Sequence, residues 1–195
     1  MTLDAPHFLA LVWRSVTDPV PVAQGIRDMR WDRNILWTGF ALVAVLSAIL
    51  QGVLQLMIPA EAEQNWMPPA LIYGALMYGF LALNAWLTYV IGKAMGGTGN
   101  FDETLTLMVW FQLISLTFSV AQFLLMLVMP LLAVVFALAS FMMLLRCMVH
   151  FVDVLHRFDS LPKAFGTAFM ALIGAVAAGL PFYSLLGLNL PGGPI

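Results

Sequence analysis

His150, Asp153 and His156 recur at intervals of three, and two imidazoles with a carboxylate form a donor set that a transition metal accepts. The two histidines stand six residues apart, about 120° around a helix, so both cannot face one ion unaided. His7 and Asp4, in the N-terminal segment, are the further donors that could approach this stretch. Polar residues are needed in any case where a helix leaves a membrane, and no metal is expected here. Ser160-Leu161-Pro162-Lys163 matches the S-x-x-K pattern of serine acyl enzymes, but the S-D-N and K-T-G partners of that chemistry do not occur in the chain. Ser160 reads better as the cap of a helix with Pro162 in its first turn. Gly96-Gly97-Thr98-Gly99 lacks the G-K-[ST] that holds phosphate. Asn100 followed by Glu103 has the spacing of a capping box. No catalytic, cofactor-binding or metal-ligating residue is assigned, no cofactor is implied, and the expectation is a protein that is not an enzyme.

The elements that carry these residues follow from composition. Of 195 residues, 62% are hydrophobic and 9% charged, against about 25% charged in an average soluble domain. Lipid must therefore be the solvent for most of the surface. Cys147 is the single cysteine, so no intrachain disulfide can form. No removable signal peptide is expected, since the early run Phe8 to Trp13 is too short for one and charges are scattered through the first 34 residues.

A bilayer core of about 30 Å needs about 20 apolar residues in helical form. Five such spans are predicted, at 35–58, 70–91, 105–129, 131–151 and 164–186. The apolar run from Leu105 to Phe151 is too long for one crossing, and Pro130 near its middle cannot continue a helical ladder; a tight turn is expected there. The fold class is thus an all-α integral membrane bundle of five transmembrane helices, at 35–190, preceded by a cytoplasmic or interfacial N-terminal segment, 1–34. In that segment Asp4 can cap a helix with Pro6 in its first turn, and Phe8, Leu11, Val12 and Val16 share one face. Asp18-Pro19 breaks it, and a second short helix is expected around Ala23 to Arg30. With five spans, all eight basic residues fall on one side: Arg14, Arg27, Arg30 and Arg33 before the first, Lys93 after the second, and Arg146, Arg157 and Lys163 at and after the end of the fourth. The positive-inside rule makes that side cytoplasmic, with the N-terminus in and the C-terminus out.

Helices in lipid associate through small residues and hydrogen bonds. Ala44, Ala48 and Gly52 on the first span, and Ala171, Ala175 and Gly179 on the fifth, predict that these two helices pack together. Gln112, Ser115, Ser119 and Gln122 make a polar stripe on the third span, and Asn84 with Thr88 a shorter one on the second. Such groups either line a substrate pathway or join helices, and joining is the commoner use. No Asp, Glu, Lys or His lies deep in a span, and Arg146 is near enough to the cytoplasmic end to snorkel out. Coupled pumps mark their pathways with buried ionisable groups, so a coupled transporter is not expected.

The segment Gly96-Gly97-Thr98-Gly99-Asn100-Phe101-Asp102-Glu103-Thr104-Leu105, opening a helix with Trp110 and Gln112, resembles the glycine-rich entry to the third span of Yip family membrane proteins. Val154-Leu155-His156, then Lys163-Ala164-Phe165-Gly166-Thr167, is similar to that family's final loop. The resemblance covers roughly 35 to 190. It implies five spans with a cytoplasmic N-terminus and brings no catalytic residues. Eukaryotic members act in vesicle trafficking and bind prenylated Rab GTPases through a longer N-terminal region with a D-L-x-G-P element. Here Asp18-Pro19-Val20-Pro21 is at best a remnant of it, which favours the bacterial branch and its cytoplasmic (inner) membrane. The function expected is a non-enzymatic protein that organises or binds membrane lipids and other membrane proteins, or self-associates, with no nucleic acid among its partners. The alternatives are a passive small-molecule permease and an accessory subunit of a larger membrane complex.

Overall fold

The computed structural model describes residues 5–57 and 69–185, with side chains over 7–57 and 69–181, and every element among them is helical. Two short helices, α1 (Ala5–Thr17) and α2 (Pro19–Asp28), precede five long ones: α3 (Arg33–Met57), α4 (Ala70–Ala94), α5 (Phe101–Val128), α6 (Pro130–His156) and α7 (Leu161–Leu185). Asp4, the loop with Glu61 and Glu63, and the Pro191–Pro194 tail lie outside the described residues. Each long helix is long and apolar enough to cross a membrane, and at most 28% of the most apolar stretch of any of them is buried inside the protein. Leu131, Val134, Val135, Leu138, Phe141 and Met142 on α6 all face outward. That surface is satisfied by acyl chains, not water.

Over the described residues the five long helices overlap the five predicted spans, but they overrun the hydropathy boundaries at one end. At 1.5 Å per residue, 25 to 28 residues reach about 38–42 Å, beyond a 30 Å hydrocarbon core. Hydropathy ends where polar residues begin, whereas a helix runs on until it is capped. Thus α5 starts at Phe101, four residues before the span read at Leu105. Asn100 accepts from the Glu103 N–H at 2.8 Å, and Glu103 accepts from the Asn100 N–H at 3.2 Å, so the expected capping box forms. At the opposite end of α5 the chain reverses in one residue, Met129. The following Pro130 keeps it out of the helical region, with φ −144° and ψ 80°. Pro130 then opens α6, where its missing N–H has no cost. The resulting α5–α6 hairpin is zipped by Phe111 on Phe151 and Phe118 on Phe136, with ring centroids 6.4 and 6.0 Å apart.

Around the bundle the helices follow the order α3, α4, α7, α6, α5, with α5 closing on α3. The expected pairing of the first and fifth spans is therefore incorrect: α3 and α7 flank α4, with no contact between them among the described residues. The small-residue face of α3 meets the second span, and on α7 Gly174, beside the predicted face, does so too. A Cβ on Gly74 of α4 would stand 3.0 Å from the Cβ of Ala48, and one on Gly174 of α7 would stand 3.1 Å from Leu87 of α4. Residue type alone does not say which neighbour a small face admits.

Helices α1 and α2 lie across α5 and α6. Val12 and Val16 are buried and Phe8 and Leu11 pack beside them, the face expected from sequence, against Leu107, Ile114, Cys147 and Phe151. Trp110 Nε1–H donates to the Ser15 hydroxyl at 3.0 Å, and the Cys147 thiol donates to the Ser15 carbonyl at 3.2 Å. Leu9 and Trp13, on the other side of α1, are exposed, the placement of an apolar and an aromatic side chain at a membrane boundary. α2 begins at Pro19 instead of near Ala23, because proline is a good first helical residue.

Reporter fusions at Glu63, Lys93, Lys163 and the C-terminus are expected to read outside, inside, inside and outside. A cytoplasmic C-terminus would refute this orientation.

Candidate functional site

Most of the chain's polar chemistry gathers at the end of the bundle where α3, α5 and α7 begin and α4 and α6 finish. It starts with the termination of α4. Gly96 takes φ +89°, its N–H bonds to the Lys93 carbonyl at 3.0 Å, and the Gly97 N–H bonds to the Gly92 carbonyl at 2.8 Å. This is a Schellman closure, which needs the left-handed conformation that glycine adopts without strain. The chain then runs over the end of α6. The Thr98 N–H donates at 3.0 Å to the carbonyl of His156, the last residue of α6, whose acceptor has no partner within its own helix.

His156 is wholly buried beneath this loop. Its ring lies against the Cα atoms of Gly92 and Gly97, so closely that a side chain at either position would overlap the imidazole. Nε2 is 3.2 Å from the Thr88 carbonyl. A carbonyl only accepts, so Nε2 carries the proton and Nδ1 is the bare nitrogen. Nδ1 and the Thr88 hydroxyl are buried with no partner among the described residues. Phe158 stacks on the ring with centroids 5.2 Å apart. Gly99 approaches the Leu155 carbonyl, where a Cβ would sit at 2.5 Å. The glycine-rich segment is therefore a mould for the end of α6.

The structure does not bring the sequence-derived candidates together as one ligand set. His156 is enclosed as described. Asp153 instead accepts the Ser160 N–H at 3.0 Å, fixing the turn in which Arg157 and Asp159 take φ values of 53° and 50°. Ser160 directly precedes α7, as expected, and its carbonyl accepts the Ala164 N–H. His150 is half-buried on α6. Lys163 is exposed at the start of α7 and its carbonyl accepts from Thr167 at 2.9 Å.

Beside the mould lies a groove of about 590 Å³ between the α2–α3 connection and the start of α5, with Arg157 contributing from the end of α6. Sequence reading missed it because its residues come from three separate stretches, each unremarkable alone. Arg33 binds Asp102 with two bonds of 2.8 and 3.1 Å. Arg157 bridges Glu103 at 3.4 Å and the Thr98 hydroxyl at 3.2 Å. Arg27 holds Asp28 at 3.0 Å and the Val154 carbonyl at 3.1 Å. These pairs tie α2, α3, α5 and α6 together, although exposed ion pairs contribute only about 0–1 kcal/mol each.

Of the polar stripes, one member joins two helices, and another bonds within its own helix. Gln122 donates its amide across the hairpin to the Ala133 carbonyl at 2.9 Å, and Ser119 bonds back to Ser115 at 2.9 Å. An apolar gap between Met108, Phe111, Phe151 and Leu155 has no room for a water molecule.

No curated protein and no solved structure matches the chain. The Yip1 domain, as a family, matches residues 13–182, which takes in the last five residues of α1 and all of α2 besides nearly the whole bundle. That extent, together with five membrane-crossing helices and the glycine-rich entry to α5, makes this chain a multi-pass membrane protein belonging to the Yip1 domain family.

Proposed function

We propose that this protein is a non-enzymatic member of the Yip family that binds and organises other membrane components, with its N-terminus in the cytoplasm and its basic end at the inner surface of a bacterial cytoplasmic membrane. The observation that carries the reading is the join that Gln122, on the polar stripe of α5, makes to the Ala133 carbonyl of α6. The groove that does admit solvent sits at the basic end and is edged by charge pairs. The one-sided basic residues and the likeness to the bacterial branch support the orientation and the location.

Purification in mild detergent is expected to carry the same membrane protein or phospholipid in near-stoichiometric amount from one preparation to the next. Proteoliposomes containing the chain are expected to pass small polar solutes no faster than empty vesicles. Solute flux that disappears in a Gln112→Leu, Ser115→Ala variant would replace this reading with the permease.

A further inference from the structure

The groove at the basic end is charged in a particular way. Its three carboxylates are each matched: Asp28 by Arg27, Glu103 by Arg157, and Asp102 by Arg33 from just outside the lining. Arg30 also lines the groove, and among the described residues no carboxylate or carbonyl meets its guanidinium. Three arginines and three carboxylates make the lining neutral as a whole, but Arg30 is the one arginine in it whose guanidinium has no partner among the described residues. Guanidinium presents a planar fork of donors suited to phosphate oxygens. The Asn100 amide adds a donor in reach of the lining, its oxygen being taken by the Glu103 N–H.

The wall of the groove is not purely polar. Met29 and Trp31, both about half exposed, line it where the chain enters α3. The apolar run of the first span opens at Ile35, one helical turn further on, so this wall stands at the membrane boundary, where tryptophan is preferred. We propose that the groove binds a phosphate group through Arg30, and that the phosphate is the phosphodiester of a membrane phospholipid, with Met29 and Trp31 against its glycerol and upper acyl carbons. The free guanidinium of Arg30 is the group that meets the negative charge of a phosphodiester. This deepens the proposed binding role and depends on it only for placing the basic end at a lipid surface. The co-purification and flux measurements above read that role without reference to Arg30.

The test uses the full chain in a neutral detergent, with thermal stability followed as dioleoyl phosphatidylglycerol is added. Stabilisation is expected with the phospholipid and not with dioleoylglycerol, which lacks the phosphate. Inorganic phosphate and glycerol 3-phosphate at matched concentrations are expected to give none. In Arg30→Gln the lipid concentration at half-effect should rise about five-fold, the weight of one arginine at an anionic surface. Arg14→Gln removes an exposed arginine on α1 outside the groove and should leave the midpoint where it is. Because Arg30 is exposed and makes no bond within the described protein, its replacement does not endanger folding. An unchanged midpoint in Arg30→Gln, an equal rise in Arg14→Gln, or equal stabilisation by dioleoylglycerol would each overturn the site. A full response to inorganic phosphate would overturn its assignment to lipid.

Discussion

Gly92→Ala is expected to destabilise the protein by about 3 kcal/mol, the upper end of the range for overpacking a filled interior. The new methyl group would occupy the space of the His156 ring. That ring cannot simply step aside, because Gly97 closes its other side, Phe158 stacks on it and Nε2 is bonded to the Thr88 carbonyl. Gly79→Ala on the same helix is expected to do the reverse. A Cβ there meets no described atom within 4 Å, so only the gain of about 0.5–1 kcal/mol in helix propensity remains. The measurement is the loss of the monodisperse species on heating in mild detergent. A double-mutant cycle identifies the cause: once His156→Ala has emptied the space, adding Gly92→Ala should cost almost nothing further. If Gly92→Ala resembled Gly79→Ala, or kept its full cost without the imidazole, the mould described for the end of α6 would be wrong.

This pair of glycines also marks the limit of what the chain discloses before it folds. The number of spans, the hairpin at Pro130, the capping box at Asn100 and the buried face of α1 all rest on signals within a few residues of one another. Such signals are legible because the chemistry is local. A proline removes its own bond from the ladder where it stands, and a capping side chain reaches only three residues. His156 is different. Its sequence surroundings, Asp153 and Arg157, read as a solvated helix end, and only the glycines some 60 residues earlier show that the ring is enclosed. The spacing of Gly92, Gly96, Gly97 and Gly99 was the available signal, since so many glycines beside a helix end imply close approach of something. The identity of that something is a tertiary fact. The groove at Arg30 is hidden for the same reason, being assembled from helix ends that are neighbours only in the bundle.

The small-residue faces show how far a local pattern can mislead, and they provide the second strong test. Ala44, Ala48 and Gly52 on α3 and Ala171, Ala175 and Gly179 on α7 appear equivalent in sequence, but α4 lies between the two helices and selects among them. Gly74 faces Ala48 with 3.0 Å for an added Cβ and has the Ala44 carbonyl at 3.6 Å. Ala171 and Ala175 are wholly buried. At Gly179, by contrast, a Cβ would meet no described atom within 4 Å. Leucine at Gly74 or Ala175 must push a neighbouring helix outward, and in lipid close packing is the main source of helix attraction. Each of Gly74→Leu and Ala175→Leu is therefore expected to cost about 1–3 kcal/mol, seen as earlier loss of the folded species on heating. Gly179→Leu is expected to be tolerated, its side chain turning toward acyl chains. A bundle in which α3 met α7 directly would give the other result, with Gly179→Leu as harmful as Ala175→Leu and Gly74→Leu harmless. The three variants thus distinguish the helix order in which α4 separates α3 from α7 from the order that the small-residue pattern alone predicts.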